Sequence, residues 1–148
     1  MNEPPKIYAI ENLAIGDKHR FNFKINTQMM LDFKNISGDR NPIHNNKKFA
    51  ISRGFKDKVV YGGLLISQVS RMLGMYLPGR DSLWTHIDLA FLKPFYVEEE
   101  GELESEVKNI SLSTNSVDLQ IKITSVYENI LKVRGKASTI IVNPHNVE

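Results

Sequence analysis

Asp39 and His44 stand on either side of an Asn41-Pro42 pair in the run Phe33-Lys-Asn-Ile-Ser-Gly-Asp-Arg-Asn-Pro-Ile-His44. A carboxylate and an imidazole at fixed spacing on a stiffened segment are an acid and a base for moving protons. The same residue types also make good turn chemistry, since Asp and Asn bond nearby backbone amides and Pro fixes φ. On residue types alone the turn is the commoner outcome, and a lone His beyond it is more often structural than catalytic.

The elements around the run decide where these groups can point. Asn26 or Thr27 can cap a helix whose apolar residues Met29, Phe33 and Ile36 recur at helical spacing, with Met30 beside them, and Ser37-Gly38 ends it. Pro42 disfavours helical backbone at Asn41, so residues 39–44 are expected to run extended or turning. Residues 46–52 form a short helix under Phe49 and Ile51, and residues 63–77 a longer one stopped by Pro78-Gly79. The longer helix is apolar over most of its circumference, which predicts burial in the core, apart from a stripe of Gly63, Ser67, Ser70 and Gly74.

Strand periodicity governs the rest. Residues 19–25 alternate upstream, with Phe21, Phe23 and Ile25 on one face. Downstream, Leu83, Thr85, Ile87, Leu89 and Phe91 alternate, residues 102–112 form a weaker acidic strand, and Val117, Leu119, Ile121 and Ile123 alternate cleanly. Glu128-Asn129 turns the chain into a last strand, residues 131–141, with Lys132, Arg134, Lys136 and Ser138 outward. Helices early and strands late predict an α+β fold with an antiparallel sheet, one face buried and one wet. The 148 residues read as one domain, with a core over roughly residues 7–142 and frayed ends beyond about 6 and 143.

The longer pattern resembles the signature of the (R)-specific enoyl-thioester hydratases, the hydratase 2 or MaoC-like dehydratase family. Phe33, Ile36, Ser37, Gly38, Asp39, Asn41, Pro42, Ile43, His44 and Ala50 fall where that signature wants them. The likeness continues through Gly54-Phe55, through Val59-Val60-Tyr61-Gly62-Gly63-Leu64-Leu65, and into Leu77-Pro78-Gly79 and Phe91-Leu92-Lys93-Pro94. It implies a hotdog fold, a curved sheet wrapped around the helix of residues 63–77. It also implies a hydro-lyase that adds water to trans-2-enoyl thioesters, giving (R)-3-hydroxyacyl thioesters, or removes it again.

By that resemblance Asp39 and His44 grip one water and shuttle its protons, and the Gly62 N–H, at the start of a buried helix, stabilises the thioester oxygen as it gains enolate charge. Gly62-Gly63 also suits close helix packing, and both roles are compatible. Asn41, Tyr61, Gly63 and Ser70 are candidate substrate-binding residues. Asn41 contacts the acyl head or braces the turn. Ser70 bonds the acid–base pair or simply allows tight packing. Many relatives carry His where this chain has Tyr61 and Met where it has Gly63, both placed at the mouth of the oxyanion site. After Pro94 relatives usually place Gly-Asp, whereas this chain has Val97-Glu98-Glu99-Glu100, read as a solvated acidic turn.

Composition narrows the alternatives. A net charge of +2, with Lys and Arg scattered among Asp and Glu, gives no basic stripe for nucleic acid. Without cysteine there is no disulfide, thiolate metal site or thiol nucleophile, and the expected location is cytoplasmic. The amino terminus lacks a secretory pattern, and the most apolar segment is too short and polar to span a bilayer. His19, His86 and His145 have no partner at metal-ligand spacing, and His86 reads as a surface or interface residue. No phosphate-binding or dinucleotide glycine motif is present, so neither metal nor organic cofactor is expected, only an acyl thioester of coenzyme A or an acyl carrier protein. Lys56, Lys58 and Arg80 are possible phosphate contacts or ordinary solvated surface. Sheet edges and the resemblance together predict a homodimer. A hotdog thioesterase is the competing enzyme class, disfavoured because residues 63–77 contain no Asp or Glu. A non-catalytic acyl-thioester binding module is the competing non-enzyme.

Overall fold

The computed structural model describes residues 2–142. Five strands form one antiparallel sheet in the order β1-β3-β4-β5-β2: β1 Lys18–Lys24, β2 Ser82–Phe91, β3 Glu100–Ser111, β4 Ser116–Ser125 and β5 Ile130–Ile141. The helices α1 Thr27–Ser37, α2 Pro42–Asn45, α3 Lys47–Ser52 and α4 Gly62–Arg71 all precede β2. Leu64, Leu65 and Val69 of α4 pack with Leu103, Val107, Leu119, Ile121, Ile123 and Val133 of the sheet in one buried cluster. Each such side chain contributes about 1.5–3 kcal/mol by leaving water. The sheet wrapped on a central helix is the hotdog architecture.

Asparagines start the three short helical elements that carry the candidate loop. The side-chain oxygens of Asn26, Asn41 and Asn46 accept from the N–H groups of Met29, Ile43 and Phe49. Each satisfies a donor that the first helical turn cannot satisfy internally. Gly38, at φ +75°, closes α1. Pro42 opens α2, so the expected extended run holds only to Asn41 and His44 lies on a helical turn. The reason is that a proline restricts the residue before it while its own φ suits the first helical position.

The central helix departs from its expected form in one way. It widens into a π turn over Met72–Tyr76, where the Leu77 N–H reaches back to Met72 O at 3.0 Å. Ser67 and Ser70 of the expected small and polar stripe do face solvent, and Arg71 beside them is exposed as well. Lys6 is tied to the π-turn end of the helix, its N–H donating to Met75 O and its carbonyl accepting from the Arg80 N–H. His145 and the expected fraying beyond residue 143 lie outside the described residues.

Two strand assignments also change. Leu83 and Phe91 were expected on the buried face of β2 but are 54% and 50% exposed. Strand β2 is an edge, and its register slips between Trp84 and His86. A bulge inserts one residue and reverses the alternation, so Trp84, not Leu83, shares the inner face with Ile87. His86 is exposed, in keeping with a surface residue. On β5, Lys132 was expected outward and is 3% exposed. The β4–β5 register slips beside it, pairing Val133 with Ile123 but Leu131 with Thr124, which leaves Lys132 as the extra residue of a bulge.

Candidate active site

His44 sits half-buried on α2 with Nδ1 2.6 Å from the Val59 carbonyl oxygen. A carbonyl can only accept, so Nδ1 carries the hydrogen, and in the neutral ring Nε2 is left with a free lone pair. Val59 is held in turn. Its N–H donates to Ile43 O at 3.1 Å, Val60 N–H donates to Phe95 O at 2.7 Å, and Val59 forms a β-bridge with Tyr96. The imidazole is therefore oriented by backbone that is itself paired on both sides.

Tyr61 ties Asp39 to His44. Its ring stacks on the His44 ring at 4.1 Å between centroids and meets Phe33 at 4.8 Å. Its hydroxyl donates to the Asp39 carbonyl oxygen at 2.7 Å and accepts from Asn45 Nδ2 at 3.0 Å. Tyr61 is 1% exposed, so it lies beneath the loop rather than at the mouth of a site. Replacing Tyr61 by Phe keeps the stack and removes the hydroxyl. Unfolding in urea is expected to show a loss of about 1 kcal/mol, the net worth of one such bond.

The Asp39 side chain is exposed, and one carboxylate oxygen accepts from the Asn41 N–H at 2.9 Å, which shapes the turn. Asn41 does two bracing jobs: its side chain caps α2 and its carbonyl accepts from Asn45 Nδ2 at 3.0 Å. A bracing role therefore accounts for every bond it makes here.

Gly62 is the first residue of α4, and no side chain caps that helix. The first N–H groups of a helix lack intrahelical acceptors and carry partial positive charge. A cavity of about 350 Å³ opens at this end, lined by His44, Val59, Gly62, Leu65, Phe91 and Pro94 among others. His44 and Gly62 thus share one cavity wall; Asp39, Asn41, Gly63 and Ser70 are not among its lining residues. Larger concavities lie elsewhere, one of about 560 Å³ on the outer sheet face among Asp88, Lys108, Asp118 and Arg134, and they contain none of the candidates.

Gly63 has a packing explanation. A Cβ there would stand 2.3 Å from Cζ of Phe33, so the Phe33 ring occupies the space a side chain would need. Gly63→Met should push that ring off Tyr61 and lower stability by about 1–3 kcal/mol, the usual cost of overpacking. Adding Phe33→Ala should restore part of the loss, and thermal melts of the single and double variants check it. Ser70 is exposed on α4 and makes no side-chain hydrogen bond to Asp39 or His44 among the described residues.

Several contributors were not legible from the sequence. Val59 acts through its carbonyl, which side-chain patterns never reveal. Phe91 covers Gly62, its ring 3.3 Å from where a Cβ would stand. Glu99, expected in a solvated acidic turn, is paired with Lys132 at 2.7 Å in a nearly buried contact. Of the basic residues considered for phosphates, Lys56 is engaged by Glu128 and Arg80 by Asp81. His19 stacks on Tyr76 at 4.3 Å, and burial together with the Lys6 charge holds its pKa below the usual histidine value. Among the described residues no cluster of His, Asp and Glu could hold a metal ion, and no helix is long and apolar enough to cross a membrane.

Known proteins resemble this arrangement. A family model described as MaoC like domain matches residues 11–129. An (R)-specific enoyl-CoA hydratase from Aeromonas caviae is 34% identical over 99 residues, covering 67% of this chain and 74% of that protein. A solved structure of an A. caviae (R)-hydratase involved in PHA biosynthesis superposes with a TM-score of 0.84 at 30% identity, covering 88% of this chain and 98% of that one. A mitochondrial 3-hydroxyacyl-[acyl-carrier-protein] dehydratase from Arabidopsis thaliana is 23% identical over 133 residues, covering 88% of this chain and 79% of that protein.

Proposed function

We infer the reaction from one premise: the chain belongs to the MaoC-like domain family and is a hydro-lyase. On that basis we propose that it reversibly hydrates trans-2-enoyl thioesters to (R)-3-hydroxyacyl thioesters. In the hydration direction, one water is held between the Asp39 carboxylate and the His44 Nε2 lone pair. Its oxygen attacks carbon 3 of the enoyl group while one proton passes to the acid–base pair. Electrons move onto the thioester oxygen, where the Gly62 N–H meets the developing charge. The enolate then collapses as a proton is delivered to carbon 2. Water is added across the double bond with no net change of oxidation state, so the proposed chemistry needs neither a redox cofactor nor a metal.

The observation that carries this reading is the His44 ring, held with Nδ1 on Val59 and lining the same cavity as Gly62. It supplies a base and an oxyanion donor at one place, the two electrostatic requirements of the reaction. The carrier is proposed as coenzyme A or an acyl carrier protein, since relatives named for each kind of thioester match this chain.

Crotonyl-CoA tests the proposal. Loss of the enone absorbance without free thiol is the expected result, with the (R)-3-hydroxy product identified on a chiral column. Released thiol would instead make the protein a thioesterase, and no change with acyl chains of several lengths would leave a binding module. We also propose a homodimer. Its support is the open β2 edge, where Leu83, Phe91 and neighbouring Leu92 remain exposed on the isolated chain. A monomer in light scattering at micromolar concentration would overturn that.

A further inference from the structure

The Lys132–Glu99 pair lies outside the residues used above, yet its partners lead to them. Lys132 Nζ is 2.7 Å from one Glu99 carboxylate oxygen and 3.0 Å from the other, and it donates to the Pro94 carbonyl at 2.8 Å. Its ammonium also faces the Phe95 and Tyr96 rings at 5.7 and 5.2 Å. Glu99 in turn accepts from the Tyr96 N–H at 2.8 Å. The Lys132 carbonyl accepts from the N–H groups of Leu92 and Lys93. One side chain and one carbonyl thus fasten both ends of the segment between β2 and β3.

That segment is what holds the His44 acceptor in place. Phe95 O takes the Val60 N–H, and Tyr96 bridges Val59, whose carbonyl takes His44 Nδ1 at 2.6 Å. The chain of contacts from Lys132 to the imidazole is continuous, and every link is a hydrogen bond, an ion pair or the β-bridge between Val59 and Tyr96. Ligand-orienting shells of this kind tune the group they hold without touching substrate. A buried ion pair is a poor source of net stability, because desolvation offsets much of the attraction; what this one does is join Pro94, Tyr96 and Glu99 through short hydrogen bonds.

We propose that Lys132 and Glu99 are positioning residues for His44: their ion pair clamps the Pro94–Tyr96 backbone onto Val59 and so sets the orientation and tautomer of the imidazole. The consequence for turnover rests on the acid–base role proposed for His44; the positioning does not.

The test is the His44 Nδ1–H proton, observed by NMR in labelled protein and assigned by its loss in His44→Gln. In the unaltered protein it is expected to exchange slowly with solvent, because the Val59 carbonyl holds it at 2.6 Å. The neutral double variant Lys132→Met/Glu99→Gln removes both charges together, so neither is left buried alone. It should raise the exchange rate of that proton about tenfold or more and lower kcat on crotonyl-CoA about tenfold, as small misplacements of catalytic groups do. The backbone amides of Ile121 and Val133 should keep their exchange rates, which separates local loosening from global destabilisation. Lys18→Met, which removes an exposed ion pair with Glu106 on the opposite edge, should change neither reading. Faster exchange with unchanged kcat supports the positioning and removes His44 from the reaction. Unchanged exchange in the folded double variant overturns the proposal whatever happens to kcat. If the double variant does not fold, Glu99→Gln alone decides: it keeps an acceptor for Tyr96 and leaves Lys132 on Pro94, and wild-type exchange there overturns the proposal equally.

Discussion

Asp39→Asn is expected to lower turnover of crotonyl-CoA by about a hundredfold to ten-thousandfold, the range for losing one acid–base group. The substitution is nearly isosteric, and its amide oxygen can still accept from the Asn41 N–H as the carboxylate does. The Tyr61 bond is made to the Asp39 backbone carbonyl, so it survives unchanged. The loop should therefore keep its shape, and melting temperature should stay near that of the unaltered protein. What is lost is the capacity of residue 39 to hold or release a proton. Steady-state rates with an intact melt make the comparison, and near-normal turnover would remove Asp39 from the mechanism.

A comparable loss is expected from Gly62→Pro, a change that deletes a hydrogen-bond donor in a place whose backbone tolerates the proline ring. Residue 62 is the first of α4, where proline fits well because no intrahelical partner awaits its N–H. Tyr61 already has φ −56° and ψ 130°, the extended setting a following proline demands. The crowding is with Phe91, a half-exposed ring that can swing outward. Removing one oxyanion donor typically costs about a hundredfold to a thousandfold in kcat. Gly62→Ala adds the same Cβ but keeps the N–H, so it measures the steric share alone. Undiminished turnover in Gly62→Pro would assign the oxyanion role elsewhere.

How much of this was legible in the sequence follows from what kind of information each element uses. The sheet and central helix were legible because periodicity follows burial: Val117, Leu119, Ile121 and Ile123 alternate in the sequence and all face the core. The loop residues were legible because their types and spacing match a family signature. The failures have one physical origin, irregular backbone. A bulge inverted the first residues of β2, placing Trp84 inward, and another turned Lys132 into the interior. Neither leaves a mark in residue order, since an inserted residue shifts every later side chain while each type stays the same. Glu99 was misread as a consequence, because an acidic run signals solvent until one member finds a buried cation, here the inturned Lys132. Tyr61 differs: its departure from the usual His was visible, but its place beneath the loop depends on Phe33, which a side-chain-free Gly63 leaves room for.

Trp84 is the chain's sole tryptophan, and it lies half-buried where the outermost strand meets the interior. Its fluorescence therefore reports from a single place, the seam along which β2 is fastened. An emission shift on dilution or in denaturant reads the detachment of that strand or of whatever covers it. The Asp39–His44 loop can loosen without altering the light emitted, so optical melting curves and catalytic competence need not fail at the same temperature.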